Sequence, residues 1–172
     1  MSVPTEDRTV PLDDAPGVPT PRREVPYDLD EERAILAGMM YSPDAVGEVQ
    51  EVLLPADYYS RQHEVIHNTI VDLHRRGVPG DRRLVAEELK QRGLLRQAGG
   101  EQYLIQVEAA LETGSVAQHY AVHVHRKAVL RRLISAGMRI TDMGFDDFGE
   151  VDEKIAAAAG EIATVAEGAA TN

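Results

Sequence analysis

His63-Glu64-Val65-Ile66-His67 is the arrangement in this sequence with the most chemistry in it. On a helix, histidines at i and i+4 share one face. With the glutamate between them they can hold a zinc ion and activate its water, as in zinc hydrolases. Such a site needs a third protein ligand. A histidine ten residues after His63 would fall at position 73, which is Leu73; His74 is one residue late, and Ile70 stands where the extended motif has glycine. Glu87 and Glu88 are the downstream carboxylates available. Val65 and Ile66 equally suit an ordinary core-facing helix, so the sequence favours no metal and keeps a zinc hydrolase, with His63 and His67 as ligands and Glu64 as base, as the alternative.

A second group is His119, His123 and His125, where the i,i+4 pair His119/His123 has the spacing of a surface metal clip or of a solvated helix face. Beside it lie Arg126, Lys127, Arg131, Arg132 and Arg139, in a stretch from position 113 to 141 that contains no acid. These cations are candidates for contacts to an acidic partner or nucleic acid. They also fit a solvated face, or partners for the segment 142–172, which has eight acids and one lysine. No aromatic is interleaved for base stacking. No phosphate-cradling G-x-x-x-x-G-K-[ST], no G-x-G-x-x-G and no G-x-S-x-G occurs, which predicts no catalytic residues, no cofactor and no enzyme activity for this chain alone.

The composition agrees. A net charge of −11 opposes a primary role in holding nucleic acid, so weak binding or none is expected. The absence of cysteine excludes a disulfide scaffold, a cysteine-ligated zinc and a thiol nucleophile, and fits a cytoplasmic protein. No apolar run reaches the roughly 18 residues of a membrane span. With no Trp and two Phe, the core must be aliphatic.

The elements that position these residues are helical throughout. Residues 1–27 hold six of the nine prolines and read as a disordered tail. Residues 28–112 read as a compact bundle of about five helices. Their signals are Asp28 with Glu31 as a capping box, Pro43, Ser60, Asp81, and the stops at Gly77 and Gly93. Residues 113–168 read as a long antiparallel hairpin. Its first helix, capped by Ser115, runs to about 142; the turn Gly144-Phe145-Asp146-Asp147-Phe148-Gly149 leads into a second helix, and 169–172 is a tail. Leu130, Leu133, Ile134, Met138 and Ile140 on the first helix, and Ile155, Ile162 and Val165 on the second, form apolar stripes that two helices alone cannot bury. They predict self-association, as a homodimer or a higher homo-oligomer.

From about Pro26 to Ile140 the order of residues resembles the N-terminal domain of DnaB-type bacterial replicative helicases. Asp57-Tyr58-Tyr59, His63 and Ile66 carry the resemblance first. Gly77, Pro79, Asp81, Val85, Ala86, Glu88, Leu89, Gly93, Leu95, Gly99-Gly100 and Tyr103-Leu104 continue it, and Tyr120-Ala121, Val124, Lys127 and Arg132-Leu133-Ile134 end it. Tyr58 and His67 stand where the family usually has Phe, Val116 where Asn is common, and Gly80 where an aliphatic usually precedes the Asp. The family's RecA-like motor with its P-loop has no counterpart in these 172 residues. The resemblance implies a collar-forming scaffold of DNA replication that self-associates through its hairpin and docks primase or a loader. It would act without its own motor, in a parent that is an ATP-dependent helicase or as a stand-alone adaptor meeting a replicative helicase.

Overall fold

Helix α1 (Leu29–Tyr41) is the axis around which the chain packs in the computed structural model, which describes residues 24–111 and 117–170. Around it lie α2 (Pro43–Gln50), a 3-10 turn (Pro55–Asp57), α3 (Arg61–Arg75), α4 (Arg82–Gln91) and α5 (Gly100–Ala109). A hairpin of α6 (Ala117–Phe145) and α7 (Val151–Ala170) completes the molecule. Among the described residues there is no strand.

The caps follow from the residues. The Asp28 carboxylate accepts from the Asp30 and Glu31 amides, and Asp81 does the same for Arg83 and Leu84, satisfying orphan donors at two helix starts. Gly77 and Gly93 take φ of +68° and +70° just past the ends of α3 and α4, where a side chain would be strained. Pro43 opens α2, where its missing N–H costs nothing. The Ser115 cap lies outside the described residues, as do positions 1–23 of the Pro-rich segment. Pro26 and Tyr27, at the end of that segment, pack on the domain: the Pro26 carbonyl accepts from Arg131, and the Tyr27 ring stacks on Tyr59.

α1 touches α2, α3, α5 and α6, while α4 bridges α3 and α5. Ile35, Leu36, Met39, Ile66, Ile70, Leu89 and Leu104 are fully buried between them. Each contributes roughly 1.5–3 kcal/mol of burial. Leu111, two residues past the end of α5, is exposed.

The core does not stop at α5. Ala117, Ala121 and Val124 of α6 belong to the same apolar cluster, so the packing unit runs past residue 112. Small residues allow this closeness: a Cβ on Gly38 would lie 2.8 Å from the Ala117 Cβ. Beyond Ala128, α6 leaves the core and runs alongside α7. Its 29 residues span about 43 Å.

Candidate functional site

Both histidines of the His63…His67 pair face the interior of the bundle. His63 Nδ1 donates to Glu32 Oε2 at 2.5 Å, and its Nε2 lies 2.5 Å from the Tyr103 hydroxyl. A carboxylate only accepts, so the Nδ1 carries the proton, and in the neutral ring Nε2 accepts from Tyr103. His67 Nδ1 lies 3.2 Å from the Tyr58 hydroxyl. Burial lowers the His67 imidazole to about 4, with the Asp57 charge opposing, and burial raises the Tyr58 phenol well above its ordinary value. Glu64, the presumed base of the zinc reading, instead pairs with Arg61 on the surface at 2.6 Å. Each imidazole is thus held by a core partner of its own. Among the described residues no group of three or more His, Cys, Asp or Glu is placed to hold a metal ion. The zinc-hydrolase alternative finds no support in this geometry.

Two buried acids organise the interior: Glu32, missed in the sequence, and Asp57, noted there only as part of the family resemblance. Glu32 is fully buried, and its carboxylate accepts from the Tyr59 amide at 2.6 Å, the Ser60 amide at 3.2 Å and His63. It therefore holds the backbone just ahead of α3 from a different helix, while the Ser60 side chain makes no cap bond. Its position, between Leu29 and Ile35 at helical spacing on the stripe that faces inward, was the available signal. Asp57 is also fully buried, and its Oδ2 accepts from the Leu54 amide at 3.1 Å and from His125 Nδ1 at 2.9 Å. Its Oδ1 accepts from Arg132, and its carbonyl accepts from Arg131. Asp57 thereby ties α6 to the 3-10 turn.

The Asp57-Tyr58-Tyr59 run can now be read in physical terms. Asp57 clamps α6, Tyr58 fills the core beside His67, and the Tyr59 ring stacks on Tyr27 at 4.4 Å with the Arg131 guanidinium 5.6 Å from its centre.

Four of the five cations singled out in the sequence are engaged within the chain. Lys127 bridges Asp28 at 3.0 Å and Glu31 at 2.8 Å, so Glu31 serves a cross-helix ion pair rather than a capping box. Arg131 binds two backbone carbonyls, Arg132 binds Asp57, and Arg139 pairs with Glu161 across the hairpin at 2.6 Å. Arg126 is exposed. Of the pairings expected with the acidic second helix, the Arg139–Glu161 pair is present; the other three cations turn to the bundle. The histidine group divides as well. His119 and His123 have ring centres 4.4 Å apart, but His123 Nδ1 contacts Glu31 at 3.0 Å, and His125 is turned inward onto Asp57.

The apolar residues of the hairpin divide more sharply. Leu130, Leu133, Ile134 and Met138 on α6, and Ile155 and Ile162 on α7, are exposed; Met138 and Ile155 show 61% and 62% of their surface. Ile140 is half-buried, and Val165 is buried within the chain. Ala136 of α6 and Val165 of α7 are buried, while the larger aliphatic side chains of the hairpin stay outside. No helix among the described residues is long and apolar enough to cross a membrane.

Comparison with known proteins gives a consistent result. A family model described as the DnaB-like helicase N terminal domain matches residues 24–126. The replicative DNA helicase DnaB of Leifsonia xyli subsp. xyli (strain CTCB07) is 41% identical over 146 residues, which is 85% of this chain and 32% of that protein. The chain thus spans about a third of the length of this relative. The crystal structure of the N-terminal domain of DnaB helicase from Mycobacterium tuberculosis superposes with a TM-score of 0.78 at 40% identity, covering 82% of this chain and 99% of that one. A structure of a DnaB-like replicative helicase, described with its interactions with primase, shares the fold at a TM-score of 0.64 and 22% identity, over 80% of this chain and 31% of that one.

Proposed function

Because the chain belongs to the DnaB-like helicase N-terminal domain family, we propose that it is a scaffold of the replication machinery that pairs with further copies of itself through its α6–α7 hairpin. The observation that carries this reading is the exposure of six large aliphatic side chains on one hairpin: Leu130, Leu133, Ile134, Met138, Ile155 and Ile162. Each is already partly covered, so closing the rest gains roughly half of the 1.5–3 kcal/mol of a full burial, and several together are enough to favour association. Val165 does not belong to the pairing set, since its own chain already covers it. Charge adds orientation rather than strength, because exposed pairs contribute little energy.

The surface so formed would serve as a docking platform for primase or a helicase loader, in a parent whose motor lies outside these residues. The interaction of a DnaB-like helicase of the same fold with primase supports that part of the reading. The test is a pair of variants, Leu133→Asp and Ile134→Asp, beside a control at Tyr41, which is exposed on the bundle. Both hairpin variants are expected to give monomers of unchanged helical content, while Tyr41→Asp behaves as the unmodified chain. Equal oligomer mass in all of them would remove the hairpin from the interface.

A further inference from the structure

Arg131, Ser135 and Arg139 follow one another at four-residue spacing, so they lie along one face of α6, with Arg132 beside them. That face does not close fully on α7. Between the two hairpin arms and the 3-10 turn lies a cleft of about 350 Å³, lined by these four residues together with Glu161 and Thr164 of α7. The volume falls at the lower end of the range for small-molecule sites.

The electrostatics of the cleft run against those of the molecule. The chain carries a net charge of −11, yet three guanidinium groups converge here. Two carboxylates offset them: Asp57 binds Arg132, and Glu161 binds Arg139 at 2.6 Å. Arg131 makes its hydrogen bonds to the neutral carbonyls of Pro26 and Asp57, while the charges of the buried Glu32 and Asp57 act on it from nearby. These partners also hold the guanidiniums in fixed directions while using only part of each donor fork, which carries five N–H groups. The residues lining the cleft include no aromatic ring, so a nucleobase would find no stacking partner there.

We propose that this cleft binds a compact polyvalent oxyanion of the pyrophosphate class, held by Arg131, Arg132 and Arg139 with the Ser135 hydroxyl. A multivalent anion can touch several guanidiniums at once, through the N–H donors that their protein partners leave unused. The same chemistry is offered by free pyrophosphate and by the phosphate tail of a nucleotide. Glu161 competes for Arg139, so its charge works against the ligand.

The experiment is titration calorimetry of the intact chain with pyrophosphate, ATP and adenosine at physiological salt. Pyrophosphate is expected to bind and adenosine to give no heat. ATP binding within about tenfold of pyrophosphate would identify the nucleotide tail as an equivalent source, and weaker ATP binding would identify the free anion. Ser135→Glu, at an exposed helix position, should weaken pyrophosphate about tenfold or more, and Glu161→Gln should tighten it. If circular dichroism shows that Ser135→Glu disturbs the helix, Arg139→Gln replaces it with the same expected loss. Arg75→Gln, at the end of α3 away from the 3-10 turn, should change nothing. No heat with pyrophosphate, binding indifferent to Ser135→Glu and Arg139→Gln, or adenosine binding as well as ATP would overturn the proposal. These readouts are independent of oligomer mass, so they stand or fall apart from the hairpin pairing.

Discussion

Buried without partners, the Glu32 carboxylate would cost several kcal/mol. It is accommodated because two backbone amides and an imidazole converge on it. The neighbouring pair Tyr58–His67 is neutral on both sides and has a different consequence. The folded state holds the His67 imidazole at about 4 against an ordinary 6.5, so between those values the unfolded chain binds more protons than the folded one. This contribution to stability is therefore complete above pH 6.5 and is lost as the pH falls towards 4, to the extent of roughly 3 kcal/mol. Urea unfolding at pH 7 and pH 4.5 should show the loss in the unmodified protein. The double variant Tyr58→Phe with His67→Phe removes both hydrogen-bonding groups together; it should lie within about 1.5 kcal/mol of the parent at pH 7 and fall less steeply with acid. Equal slopes for the two proteins would mean that His67 is not the titrating group. Little of this was legible beforehand. His63 and His67 drew attention as metal ligands because their spacing is informative about a helix face. Spacing says nothing about which face is buried. Glu32 escaped notice because acids are ordinarily solvated, although it sits on the inward stripe of its own helix, and Asp57 was noted only as part of the family resemblance.

Among the elements, local chemistry was the reliable guide wherever the stabilising group lies within the same few residues. Asp28 and Asp81 cap the helices that follow them, and Gly77 and Gly93 end the helices before them. Asp81→Ala should lower stability by about 1 kcal/mol, read from the urea midpoint, and no change would mean that water replaces the cap. The start of α3 was placed by Ser60, but the backbone there is held by the Glu32 carboxylate, some 28 residues earlier. A tertiary anchor of that kind leaves no local mark. The 3-10 turn at Pro55–Asp57 was not among the elements read from the sequence, since proline ends one helix without announcing the next turn. Gly38 tests the closeness of α1 and α6. In an open helix, Gly→Ala gains about 1 kcal/mol of propensity. Here the added methyl would lie 2.8 Å from the Ala117 Cβ, a group with no freedom to rotate away. Gly38→Ala is expected to be net destabilising by about 1–3 kcal/mol. A stabilised variant would show that the start of α6 yields easily.

For the molecule as a whole, the hairpin was legible from apolar periodicity and from one six-residue loop between two helical patterns. The number of its apolar residues that need an outside partner was not. Periodicity identifies a stripe but not its allocation, and in the folded chain Val165 turns inward while Leu133, Ile134 and Met138 stay out. The charge asymmetry was equally visible and equally ambiguous. Arg132 and Lys127 satisfy acids of the bundle, and Arg139 pairs with Glu161 of α7. The hairpin is therefore anchored at its base by a buried polar junction and leaves its outer face unused, and this is the physical basis for a pairing surface. The most direct test is light scattering of the unmodified chain across a dilution series that begins at tens of micromolar. The account predicts a mass of at least twice 18.9 kDa at the upper end, falling towards one chain on dilution. A mass of 18.9 kDa throughout would contradict it.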